Sequence, residues 1–191
     1  MKFVAVLLVL LTGCGGCVSV PSVAPVSPQD ATLRLEYVDG GVCSGTAVGR
    51  HTVLTATHCQ DGAQLWTVNG QVVAVLSQED DGKDHTLLQV SIEFRVFAQI
   101  GGTLEQGDEV EYWGNPTGLA DQYRRGYVTG TRGDLILIDA EGWKGDSGAG
   151  IFKAGRLVSV LSIAYSPPFT PFHLMGAFPL EFTPEQLATI T

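Results

Sequence analysis

CSGTAVGRHTVLTATHC, residues Cys43 to Cys59, reads as two short strands closed by a turn, with a cysteine at each end. Gly45 to Val48 and Thr52 to Thr55 are rich in β-branched and small residues, and Gly49-Arg50-His51 between them breaks the run. Such a pattern favours an antiparallel pair. A single histidine, His58, stands beside the second cysteine at the strand's end.

The same grammar continues outward. Leu33 to Val38, Val72 to Leu76, Thr86 to Val90, Glu109 to Trp113, Gly126 to Gly130, Leu135 to Asp139, Gly150 to Lys153 and Leu157 to Ser162 are short strand-like runs. Turn signals separate them: Asp39-Gly40-Gly41, Asn69-Gly70, Asp81-Gly82, Arg132-Gly133 and Ala154-Gly155. Asn69-Gly70 is the strongest hairpin signal, because both residues tolerate the positive φ that tight hairpins need. About a dozen short strands in one chain imply an all-β sandwich or barrel architecture. Ile100 to Asp108, with three glycines, marks the boundary between two halves. At the end, Thr183 can cap, Pro184 suits the first helical position and Gln186 can complete a capping box, which predicts a short helix over 184–190.

The 191-residue chain carries a net charge of −9 and 24 glycines. Nucleic-acid binding needs a basic face to neutralise phosphates, so that class is excluded. The amino-terminal Lys2 and the apolar run Phe3 to Leu11 fit a secretory signal peptide, too short to span a bilayer as a helix. Leu11-Thr12-Gly13-Cys14 resembles the lipobox of bacterial lipoproteins. That resemblance implies a signal peptide over 1–13, lipidation of Cys14, a proline-rich tether over 14–30 and a membrane-anchored place in the cell envelope. Export leaves Cys43 and Cys59 in an oxidising compartment, where a disulfide is their simplest fate. With cysteines committed and histidines dispersed, no metal site is expected, and no cofactor motif is present.

Two further stretches carry chemistry. In GWKGDSGAG, Gly142 to Gly150, Ser147 follows an acid and is flanked by glycines. A serine hydroxyl becomes a useful nucleophile only beside a base, which needs its own orienting acceptor. Glycines let backbone N–H groups converge on one point, and those of Gly145 and Ser147 form the natural oxyanion-binding pair. Among His51, His58, His85 and His173, His58 is the best base, pinned beside a cross-link. In EDDGKDHTLLQV, Asp84 precedes a buried-looking strand and is the best acceptor, while Asp80 and Asp81 read as solvated turn residues.

Taken in order, CSGTAVGRHTVLTATHC, DHTLLQV and GDSGAG closely resemble the chymotrypsin-like (trypsin-fold) serine peptidases, and YWGNPTG followed by GYVTG is similar to bacterial, HtrA-like members. The order His58, Asp84, Ser147 is that family's own. The resemblance implies two antiparallel six-stranded β-barrels, the first over about 31–100 and the second over about 108–182, with the site in the cleft. It implies a serine endopeptidase acting on peptide or protein substrates. Glu141 falls at the family's pocket floor, where it would favour Lys or Arg in the substrate, or else it faces solvent. Ser162, Ile163 and Ala164 fall on the strand that pairs with bound substrate. The chain lacks the family's Ile-Val-Gly-Gly start, so Asp146 is expected to find an internal cation, Arg124 or Arg125. Rival readings are an esterase using the same triad, and a lipid-anchored binding protein on a lapsed peptidase fold.

Overall fold

The computed structural model describes residues 27–60, 64–166 and 173–190. The expected signal peptide, Cys14 and most of the tether lie outside them. Two four-residue helices, α1 (Pro28–Ala31) and α2 (Pro184–Leu187), bracket thirteen strands among the described residues.

The first half contains β1 (Thr32–Tyr37), β2 (Val42–Ala47), β3 (Thr52–Ala56), β4 (Leu65–Val68), β5 (Gln71–Val72), β6 (Val75–Asp80) and β7 (His85–Val90). They form one antiparallel sheet in the order β5-β4-β1-β2-β3-β7-β6. Alternation explains β1: Leu33, Leu35 and Tyr37 enter the core, while Arg34 and Glu36 pair at 2.8 Å on the opposite face. Asn69 and Gly70 adopt φ of 50° and 76°, as the hairpin signal between β4 and β5 requires.

The second half contains β8 (Glu109–Gly114), β9 (Gln122–Arg132), β10 (Leu135–Asp139), β11 (Gly150–Lys153), β12 (Arg156–Tyr165) and β13 (Leu174–Ala177). These six close into a barrel in the order β10-β13-β12-β11-β8-β9. Val110, Tyr112, Val128, Ile138, Ile151 and Leu161 fill it. The expected pair of barrel-like halves with a short terminal helix is the observed architecture, with the first sheet carrying seven strands and the helix confined to one turn.

Strands β3 and β7 are buried on both faces because each serves two cores. Val53 and Leu88 point into the first sheet's interior, whereas Leu54 and Leu87 meet Phe152, Leu157, Val160 and Phe182 in a third cluster between the halves. The C-terminal segment supplies Leu180, Phe182 and Ile190 to that cluster. Thr183 and Gln186 make the expected capping box. Cys43 and Cys59 are disulfide-bonded. Closing a loop of this length stabilises a fold by about 3 kcal/mol in the chain-entropy view.

Candidate active site

Strand β3 ends in a 3-10 turn, Thr57–Gln60, which carries His58. Strand β7 pairs with β3 so that His85 lies opposite Ala56, and the Thr57 N–H donates to the Asp84 carbonyl at 3.1 Å. This register sets Asp84 beside His58. The Asp84 carboxylate accepts the His58 backbone N–H at 2.9 Å and meets the ring Nδ1 at 2.9 and 3.0 Å. Asp84 adopts φ +79°, a left-handed conformation that aspartate tolerates better than most residues. Burial alone would raise its pKa. Hydrogen bonds from the His58 ring and backbone, and the ring's charge, outweigh burial and hold the carboxyl below its ordinary value. The Ser162 hydroxyl of β12 is buried nearby and makes no hydrogen bond among the described residues.

Ser147 comes from the second half, in the turn before β11. Its carbonyl accepts the Ser44 N–H at 2.8 Å and lies 3.8 Å from Cys59 Sγ, next in sequence to His58. Gly148 lies so close to β2 and β3 that an added Cβ would fall 2.3 Å from the Ser44 carbonyl and 2.2 Å from Thr55 Oγ1. A side chain there would push the Ser147 loop off the first sheet. Gly145 has φ +104°, and an added Cβ would meet the Asn115 carbonyl at 2.3 Å. Neither the Gly145 nor the Ser147 N–H donates to another described group.

Two residues that the sequence reading passed over support this loop. Ser44 is fully buried; its Oγ donates to the Gly145 carbonyl at 2.8 Å and accepts from Asn115 N at 3.0 Å and Nδ2 at 2.9 Å. Asn115 Nδ2 also donates to the Leu33 carbonyl at 3.1 Å. The quoted CSGT and GNPTG segments contained both residues, but nothing in either segment shows that, 71 residues apart, they meet through one hydroxyl.

A cleft of about 350 Å³ opens beside Ser147, lined by Gly142, Trp143, Lys144, Leu161, Ser162, Ile163, Ala164, His173 and Met175. Ser162, Ile163 and Ala164 reach it from β12. Glu141 is not among the lining residues: its side chain is exposed, and its carbonyl accepts the Tyr112 hydroxyl. Met175 lines the cleft, its thioether packed so tightly on Gly142 that an added Cβ would overlap it at 2.2 Å. A second cavity of about 360 Å³, lined by Ile100, Leu104, Leu180 and Phe182 among others, contains none of the chemistry-bearing residues.

Asp146 is fully buried. Burial raises its pKa, against the Trp143 N–H at 2.9 Å and the charge of Arg124, and its Oδ1 has no partner. Of the two expected cations, Arg125 pairs with Glu109 at 2.7 Å on the surface. Arg124 donates to the Gln122 carbonyl at 3.2 Å and acts on Asp146 only through its charge. No ion pair to Asp146 forms among the described residues. Asp81, expected to be solvated, is instead fully shielded at its side chain and bonded to His85. His51 is half-buried, with Nδ1 2.8 Å from the Ile92 carbonyl.

Two packed β-halves, with a histidine–carboxylate pair on one and a glycine-flanked serine on the other, define the architecture of the chymotrypsin-like serine peptidases. Residues 43–160 match the trypsin-like peptidase domain, and the chain belongs to that family. No curated protein matches it. Among solved structures, the Rv3671c protein of M. tuberculosis H37Rv, in an inactive form, is 15% identical, with 85% of this chain and 87% of that one covered and a TM-score of 0.64. A serine endoprotease from Yersinia pestis is 22% identical, with 86% and 61% covered and a TM-score of 0.67. A Glu endopeptidase solved with MPD is 15% identical, with 81% and 86% covered and a TM-score of 0.64. At these identities the likeness is one of fold.

Proposed function

We propose that this member of the family is a serine endopeptidase that works through Ser147, His58 and Asp84. The observation that carries the reading is the His58–Asp84 pair, bonded through both ring and backbone, with the Ser147 carbonyl held by Ser44 N–H and beside Cys59, the next residue after His58. His58 takes the Ser147 proton as Oγ attacks a peptide carbonyl. The C–N bond breaks as His58 returns that proton to the leaving amine, and water then repeats the sequence to release the acyl group. Asp84 keeps the Nδ1–H tautomer in place and stabilises the imidazolium. The N–H groups of Gly145 and Ser147, unused elsewhere, receive the oxyanion. Ser162, Ile163 and Ala164 offer the edge along which substrate backbone pairs. Anchoring through a lipid on Cys14 belongs to the same proposal and rests on the Leu11-Thr12-Gly13-Cys14 sequence.

A fluorophosphonate probe tests the reading: Ser147 is modified, peptide cleavage stops in proportion, and Ser147→Ala is inert to both. Cleavage of esters with no cleavage of any peptide would assign an esterase. A correctly folded protein that takes no label would be a binding module.

A further inference from the structure

The mechanism leaves one buried ionisable pair unused. His85 Nδ1 stands 2.6 Å from Asp81 Oδ2, and both side chains are 0% exposed. The Asp81 carboxylate also accepts the backbone N–H groups of Lys83 at 2.9 Å, His85 at 3.3 Å and, across the molecule, Glu181 at 3.0 Å. These bonds outweigh burial, which would raise the Asp81 pKa, and hold it below the ordinary value. His85 Nε2 is buried and has no partner among the described residues. The ring meets the Asp81 carboxylate through Nδ1 and stands near the Phe182 ring at 6.4 Å.

Asp84 lies inside the loop that this pair closes. Its left-handed backbone has no glycine to make it easy, so surrounding contacts must hold it. Asp84 itself is held by the Thr57 and His58 N–H groups, and the residues before it in the loop are held largely by the C-terminal segment. Besides Glu181 N–H on Asp81, the Gln186 side-chain amide donates to the Asp80 carbonyl at 2.8 Å, and Lys83 bridges Glu181 at 3.6 Å and Asp134 at 2.7 Å. An apolar pair would fill the same space without desolvating a carboxylate. What the polar pair adds is direction, because the carboxylate also fixes the Lys83 and His85 N–H groups of the loop.

We propose that Asp81 and His85 are positioning residues for the reaction. They clamp the C-terminal segment onto the 81–85 loop and thereby set the Asp84 carboxylate against His58. This inference rests on the reading of Asp84 as the partner of His58.

The test compares His85→Leu and His85→Asn in the whole protein. Kinetics are normalised to sites titrated by the fluorophosphonate, and the His58 Nδ1–H proton is followed by NMR. A small misplacement near the chemistry is costly, so His85→Leu lowers kcat about 10-fold or more with KM within about 2-fold. Its His58 Nδ1–H signal broadens or moves upfield. Asparagine presents an amide N–H where the imidazole Nδ1–H stands, so His85→Asn restores both kcat and signal. A folded His85→Leu with wild-type kcat per titrated site and an unchanged signal would overturn the proposal. Should His85→Leu not fold, Glu181→Pro, which removes the donor to Asp81 from a distant residue, is judged by the same two readouts. If neither variant folds, the pair holds the fold as a whole and the positioning role is wrong. A wild-type protein that neither cleaves nor labels sinks the peptidase reading instead, while the proton signal still reports on the clamp.

Discussion

Asp84 holds His58 from two directions. One carboxylate receives both the backbone N–H at 2.9 Å and the ring Nδ1 at 2.9 Å, so the imidazole is fixed in tautomer and in rotation about its own chain. Replacing Asp84 with asparagine keeps the shape but can present an amide N–H toward Nδ1. The expected outcome is a fall in kcat of about 10⁴-fold with KM little changed, read by steady-state kinetics.

Ser44 gives a separable prediction. Ser44→Ala removes the bond to the Gly145 carbonyl and leaves Asn115 N and Nδ2 short of an acceptor in a buried place. Denaturant unfolding is expected to show a loss of about 2 kcal/mol, the scale for stranding buried polar groups. Fluorophosphonate labelling slows as well, because Gly145 is half of the proposed oxyanion site. Wild-type labelling in a destabilised variant would show that the hydroxyl serves packing alone.

Asp146 is expected to move stability the other way. Its folded-state pKa is raised by burial, so at neutral pH its charge opposes folding, and stability improves as pH falls into the range between its ordinary and raised values. Asp146→Asn removes that charge and retains an acceptor for the Trp143 N–H. Its melting midpoint at pH 7 rises by about 2–4 °C, for a gain of about 1 kcal/mol in a chain of this size. Calorimetry at pH 7 and again in acid checks both value and sign, since the gain shrinks once the wild-type carboxyl is protonated.

Asp81 and Asp84 have the opposite sign. Their folded-state pKa values are depressed, so their contribution is fully present above the ordinary carboxylate range and is lost as pH falls through it toward the folded values. Acid unfolding is expected to set in below that range, and its midpoint shifts to higher pH in His85→Leu, which lacks a donor to Asp81. An unchanged acid midpoint in that variant would show that other carboxylates govern acid stability.

Substrate preference follows from the cleft. Its described lining holds no carboxylate; Met175, Leu161 and Ile163 supply apolar wall, and Lys144 and His173 are its basic members. A peptide-library profile is expected to show no preference for Lys or Arg before the cleaved bond, and Glu141→Gln leaves that profile unchanged. A profile dominated by Lys and Arg that Glu141→Gln abolishes would return Glu141 to the pocket.

Much of this was legible in the chain. Leu135–Asp139 and Gly150–Lys153 form strands at the residues where alternation placed them. Leu65–Val68 and Leu174–Ala177 escaped notice because four residues are too few to display a period. Asp81 misled for a different reason. An acid before glycine in a turn looks solvated, and only Glu181, 100 residues further on, covers it. Met175 was invisible for the same cause: whether a pocket ends in charge or thioether depends on which strand reaches Gly142, which only the closed barrel decides.

The strap that runs from Leu180 to Ile190 has a temporal consequence. Ser147, His58 and Asp84 are all translated before it, yet the loop bearing Asp84 is covered only when Glu181 and Gln186 arrive. A nascent chain that ends short of Glu181 would hold His58, Asp84 and Ser147 in an unfinished setting. The 81–85 loop is thereby the last part of the site to reach its final form, when the closing turn of helix docks.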